Sequence, residues 1–163
     1  MSGAAPKFEI KNGHGKKKIA IISSSWHPEL CDKLIASAKK ACMENGYGYE
    51  IIYVPGSFEI PFAARKALTK GFDGFAGAVA LGLVLRGETA HFEYVCEGAT
   101  YGIMKTQLEV NKPIGFGILM CDTLEQAHAR AGGAVEDKGY DATIATLDRK
   151  STRLNSSHVK RSR

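Results

Sequence analysis

Gly77-Ala-Val-Ala-Leu-Gly-Leu-Val-Leu85, running directly into Arg86-Gly-Glu-Thr-Ala-His91, is the stretch that decides the fold. The first part is a short, uncharged, apolar run with a glycine at its start. It reads as a strand buried on both faces, as in a parallel sheet covered by helices on either side. The second part is polar and ends in a helix start at Thr89 or Ala90. A buried strand, a loop and a helix in that order form the first half of a right-handed crossover.

The same unit recurs on both sides. Upstream, Lys18-Ile-Ala-Ile-Ile-Ser23 and Tyr49-Glu-Ile-Ile-Tyr-Val54 read as strands, and downstream so does Pro113-Ile-Gly-Phe-Gly-Ile-Leu119. Between them Pro28 opens a helix carrying Leu30, Leu34, Ile35 and Ala38 at helical spacing, which Gly46 ends. A second helix is expected from Ser57 as N-cap, with Pro61 tolerated in its first turn. The long helix after Ala90 is expected to turn Tyr94, Val95, Ala99, Ile103 and Leu108 to the core. Asp122 is expected to cap Leu124 to Ala131, and a last helix runs from Lys138 to Leu147. Strands alternating with helices predict a three-layer α/β sandwich of flavodoxin-like type, with a four-stranded parallel sheet. Residues 1–16 read as an arm whose Phe8 and Ile10 suit one extra edge strand; the domain itself spans 17–147.

The 163 residues suit one domain, and no apolar run approaches the ~18 residues of a membrane span or the start of a signal peptide. Cys31, Cys42, Cys96 and Cys121 are scattered without metal-site spacing, so free thiols in the cytoplasm are expected. The net charge of +5 and pI near 9.0 raise the question of nucleic acid. Yet six of 22 basic residues and only one of 17 acidic residues lie between Asp148 and Arg163, which leaves 16 of each sign in residues 1–147. The folded body is balanced, so its charge argues for no nucleic-acid partner.

In open parallel sheets, sites form beyond the carboxyl ends of the strands. Of the loops there, Arg86–His91 is the most informative. Helix-start N–H groups attract anions, Gly87 permits close approach, Thr89 offers a hydroxyl, and His91 offers an imidazole that can pass protons. The same residues also fit a plain helix start with an exposed histidine. Val54-Pro-Gly-Ser-Phe-Glu-Ile-Pro61 suits a polyhydroxylated ligand, held by peptide groups and Glu59, or is simple turn chemistry. Trp26, the sole tryptophan, sits at a strand exit where it can stack on a flat ring, although core tryptophans are commoner. His27-Pro-Glu29 and His91-Phe-Glu93 are i,i+2 pairs that do not share a helix face, and with no third ligand evident a metal site is not expected.

Taken together, Val54–Pro61, Arg86-Gly-Glu-Thr-Ala-His-Phe-Glu-Tyr94 and Phe116-Gly-Ile-Leu-Met-Cys-Asp-Thr-Leu-Glu-Gln-Ala127 with Arg130-Ala-Gly132 resemble the lumazine synthase family, in register over roughly Lys18 to Leu147. The resemblance implies condensation of 5-amino-6-ribitylaminouracil with 3,4-dihydroxy-2-butanone 4-phosphate, without metal or cofactor. It implies that Trp26 stacks on the pyrimidine, that Ser57, Phe58 and Glu59 hold the ribityl chain, and that Val84 and Leu85 lie near the uracil. Gly87, Glu88 and Thr89 would meet the phosphate, with Arg130 reaching in from a neighbouring subunit. His91 would carry protons. Phe116, from across the interface, and Lys138 would complete the pocket. A shared site implies a homo-oligomer, a pentamer or a sixty-subunit shell. Ser25 stands where the family usually has an arginine. The segment Gly132–Lys138 is short, as in shell-forming members, but lacks their lysine and glycine pattern. The alternative is a binder of flavin or lumazine that keeps the fold without catalysis.

The family-like sequence stops near Leu147. Asp148 to His158 matches a one-frame translation of a common sequencing-adapter oligonucleotide, so residues 148–163 are expected to be read-through that replaces the true C-terminal helix. A genuine basic tail is the other reading. Resequencing the locus past the Leu147 codon separates the two.

Overall fold

The structure, a computed structural model, describes residues 17–69 and 74–148. The expected arm at 1–16, with its edge strand, and the tail at 149–163 lie outside the described residues. Four strands, β1 (Lys18–Ser24), β2 (Gly48–Val54), β3 (Gly77–Leu85) and β4 (Ile114–Cys121), form an all-parallel sheet in the order β2-β1-β3-β4. The helices are α1 (Pro28–Glu44), α2 (Ile60–Leu68), α3 (His91–Val110) and α4 (Leu124–Arg130). A fifth, α5, covers 138–148. This is the flavodoxin-like sandwich the strand pattern predicts.

Strand alternation sorts the two cores. Ile19 and Ile21 of β1 and Val79 and Leu81 of β3 face α1, α4 and α5, where Leu30, Leu34, Ala127 and Ala142 meet them. Ala20, Ile22, Ala78 and Ala80 face α2 and α3, against Ile60, Ala64, Ala99 and Ile103. Each fully buried isoleucine contributes about 1.5–3 kcal/mol. On the first face α5 presses directly on β4. A Cβ added to Gly115 would stand 2.1 Å from the Ala142 carbonyl oxygen, so only glycine fits there.

Three local expectations need correction. Ser57 does not cap α2: residues Ser57–Glu59 form a 3-10 turn, and α2 begins at Ile60. Pro61 has no N–H to give the Ser57 carbonyl, so the Ile60 N–H takes that carbonyl instead and the turn tightens. Asp122 does not cap α4. Thr123 does, accepting from the Gln126 N–H at 3.2 Å, while the Gln126 side chain accepts from the Asp122 N–H at 2.8 Å.

The third correction concerns α3. It buries Ala99, Ile103 and Thr106, but leaves Tyr94 70% and Leu108 72% exposed. At about 100° per residue, Tyr94, Tyr101, Met104 and Leu108 fall about 140–220° from Ala99. The helix therefore carries two apolar faces, and the sheet covers one.

Candidate active site

The crossover from β1 runs to β2 on one side of the sheet order, and that from β3 runs to β4 on the other. The switch point lies between β1 and β3 at their carboxyl ends. A cleft of about 810 Å³ opens there, a size that suits a ligand of two fused rings with a side chain. Trp26 comes from the β1 exit, Ser57, Phe58 and Glu59 from the β2 exit, Val84 and Leu85 from the end of β3, and His91 from the start of α3. The structure thus brings seven of the expected site residues together on one chain.

Each is held by a local cause. The indole of Trp26 is 67% exposed and lies beside Gly56, where a Cβ would stand 3.5 Å from its Cδ1. Ser25 ties the same loop to β2, its Oγ donating to the Val54 carbonyl at 2.8 Å. Glu59 is fixed by accepting the Gly56 N–H at 2.9 Å. Ser57 lines the cleft, but its Oγ is buried without a partner; a ligand contact from this residue would come from its main chain. Phe58 and Pro61 rest on α3 where Gly98 and Gly102 leave room.

His91 is the first residue of α3 rather than one turn in. Its N–H donates to Thr89 Oγ1 at 3.4 Å, and the first intrahelical bond runs from the Tyr94 N–H to the Ala90 carbonyl. Ala90, the N-cap, has no side chain that could cap this helix start. Gly87, Glu88 and Thr89 are exposed in the loop leading to it, outside the residues that line the cleft.

Phe116, Arg130 and Lys138 also lie outside that lining. Phe116 is half-buried on the α2 and α3 side of β4. Arg130 and Lys138 flank one carboxylate, with Glu136 3.9 Å from each, and Arg130 also donates to the Gln126 carbonyl at 3.0 Å. The two cations form one patch away from this chain's cleft.

Arg86 is a site residue beyond those the sequence motifs single out. Its Nε donates to Asp122 Oδ1 at 2.5 Å, its Nη1 donates to Glu93, and its guanidinium lies 4.3 Å from the Phe92 ring centre. It braces the ends of β3 and β4 to the first turn of α3, and so sets the loop between Arg86 and His91. Arg86 holds the Glu93 carboxyl below the usual carboxylate range. Nothing local in the sequence pairs residues 86 and 122. His27, Tyr94 and Val95 line the cleft as well; their nearness to Trp26 and His91 was the only signal for them.

The family model described as 6,7-dimethyl-8-ribityllumazine synthase matches residues 16–152. The 6,7-dimethyl-8-ribityllumazine synthase of an Arthrobacter species is 47% identical over 155 residues, covering 90% of this chain and 94% of the relative. That of Streptomyces coelicolor is 44% identical over 151 residues, covering 90% and 91%. That of Frankia casuarinae is 41% identical over 152 residues. The chain belongs to the 6,7-dimethyl-8-ribityllumazine synthase family. Membership accounts for the order of the three loop motifs along the chain. Among the described residues no three His, Cys, Asp or Glu side chains cluster so as to hold a metal ion, and no helix is long and apolar enough to cross a membrane.

Proposed function

We propose that the cleft joins 5-amino-6-ribitylaminouracil to 3,4-dihydroxy-2-butanone 4-phosphate, releasing 6,7-dimethyl-8-ribityllumazine, phosphate and water, as a step of riboflavin biosynthesis. The observation that carries this reading is the convergence of an exposed indole, a fixed carboxylate and a helix-start histidine on one cleft, in a chain of this family. Trp26 stacks on the pyrimidine, with Val84 and Leu85 beside it. Phe58, Glu59 and the Ser57 main chain hold the ribityl chain. Gly87, Glu88 and Thr89 meet the phosphate at the start of α3, where main-chain N–H groups favour an anion.

An amine and a ketone condense readily once oriented, so positioning supplies much of the rate. His91 moves protons as the imine forms, as phosphate leaves and as the ring closes. The reaction involves no net oxidation or reduction.

The active form is a homo-oligomer in which a neighbour supplies Arg130 and Phe116, with Lys138 completing the pocket. Their position outside the single-chain cleft supports this, as does the second apolar face of α3. Sedimentation velocity separates a free pentamer from a sixty-subunit shell. The enzyme works in the cytoplasm, a reading that its four free cysteines support.

Mixing the two substrates with the protein and following lumazine fluorescence tests the proposal. Product formation that slows in His91→Ala is expected. Ligand binding without product would instead favour the non-catalytic binder, and an unchanged rate in His91→Ala would remove His91 from the mechanism.

A further inference from the structure

Beneath the exposed Trp26 lies a buried polar chain. Cys31, in the first turns of α1, is 2% exposed, and Ser24, the last residue of β1, is 1% exposed. The Cys31 thiol donates to the Trp26 carbonyl at 3.2 Å, and Cys31 Sγ lies 3.7 Å from Ser24 Oγ. A thiol has one proton. With it engaged to Trp26, the Ser24 hydroxyl is the donor in the other contact, which gives the chain a direction from Ser24 to Cys31 to Trp26. Burial pushes the Cys31 thiol up from its ordinary value, so the sulfur keeps its proton.

The backbone explains why the carbonyl is within reach. His27 sits in the left-handed region at φ 53°, which costs about 1 kcal/mol or more for a residue with a Cβ. It is the N-cap of α1, and its side chain makes no capping bond. The His27 carbonyl accepts the Cys31 N–H at 3.1 Å. Cys31 therefore grips two consecutive carbonyls, that of His27 by its main chain and that of Trp26 by its thiol.

We propose that Cys31 is a positioning residue for the reaction: its thiol fixes the Trp26 main chain, and with it the platform on which the pyrimidine ring stacks. The role of Trp26 rests on the function proposed above; the tether itself does not. Cys31 touches no substrate. It acts on how well the aminouracil finds its place and leaves the proton transfers at His91 alone.

Trp26 is the only tryptophan in the chain, so its fluorescence reports on this tether directly. The test compares the full-length chain with Cys31→Ala, Cys31→Val and Cys31→Ser. Alanine and valine remove the donor, valine while filling the space, and serine retains a donor. In the ligand-free protein, Trp26 anisotropy falls in Cys31→Ala and Cys31→Val and returns in Cys31→Ser. In turnover, the KM for 5-amino-6-ribitylaminouracil rises about three- to tenfold in the donor-less variants, the range expected for one hydrogen bond. Meanwhile kcat and the KM for the phosphate substrate stay within about twofold. Wild-type anisotropy and KM in the donor-less variants would overturn the proposal, as would a Cys31→Ser as impaired as Cys31→Ala. Were the wild type to form no lumazine, the proposed reaction would fail while the anisotropy series still decided the tether.

Discussion

The ring of Phe58 rests on the bare backbone of Gly98: a Cβ placed on Gly98 would stand 2.6 Å from Phe58 Cε2 and 3.1 Å from its Cδ2. One turn on, a Cβ at Gly102 would stand 2.7 Å from the Pro61 ring. Two glycines four residues apart thus make a shallow seat on α3 for the turn that carries Phe58 and Glu59. Sequence and site meet in this seat, since the glycines that weaken α3 as a helix also set how close the second loop comes to the cleft.

Gly98→Ala tests that seat. The added methyl favours the helix by up to about 1 kcal/mol and collides with a ring that is exposed and able to swing away. Stability should change little, with Tm within about 3 °C of wild type. The displaced Phe58 should raise the KM for the ribityl-bearing substrate about tenfold, a loss of about 1.4 kcal/mol. Thermal melts and steady-state kinetics on the same preparation check both halves. An unaltered KM would remove Phe58 from the binding site.

Arg86 gives a prediction with a pH signature. Its bond to Glu93 lowers the Glu93 pKa in the folded chain. That stabilisation is fully present above the unfolded carboxyl value of about 4.3 and is lost as pH falls through the lower folded value. Arg86→Met should therefore lower Tm most above the unfolded carboxyl value, and the gap from wild type should close as pH falls below it. Both side chains are solvated, so about 1 M salt, with a Debye length near 3 Å, should narrow the gap as well. A gap of constant size across that range would shift the role of Arg86 to its stacking on Phe92.

The fold was legible because its signal is periodic and local. Isoleucine-rich runs separated by helical spacing allow few arrangements, and the observed strand order β2-β1-β3-β4 is one of them. The cleft residues at strand exits were legible for the same reason, since topology alone gathers Trp26, Glu59 and His91. Pairwise geometry was not. Helical spacing sets Tyr94 and Leu108 opposite Ala99, but it does not say which apolar face the sheet covers, so the expectation that both are core residues fails. The Arg86–Asp122 bond joins residues 36 apart, and the sequence marks Cys31 only as a free thiol, because its bond to the Trp26 carbonyl depends on the left-handed turn at His27.

The contact between α5 and β4 should be the least tolerant point of the fold. Gly115→Ala drives a methyl to 2.1 Å from the Ala142 carbonyl oxygen and 2.2 Å from Thr146 Oγ1, and both are backed by buried helix rather than solvent. The sheet cannot yield without moving α5. A loss of about 3 kcal/mol or more is expected, at the upper end for overpacking. Urea denaturation of the variant should show a lowered midpoint with an unchanged slope. A midpoint equal to that of wild type would mean that α5 does not pack on β4 as described.

A shared site can be tested without knowing the size of the assembly. If His91 acts from one subunit and Arg130 from its neighbour, His91→Ala and Arg130→Ala chains are each impaired alone. Each kind carries the residue the other lacks. When the two are unfolded together and reassembled, some clefts receive an intact His91 from an Arg130→Ala chain and an intact Arg130 from an adjacent His91→Ala chain. Activity should therefore reappear on mixing, to about a quarter of wild type per site for random assembly at equal amounts, because half the subunits keep His91 and half of their neighbours keep Arg130. Lumazine fluorescence of the reassembled mixture, against each variant put through the same cycle, measures the recovery. If mixing yields only the average of the two variants, Arg130 and His91 serve the same chain, and the need for a neighbour at the cleft falls away.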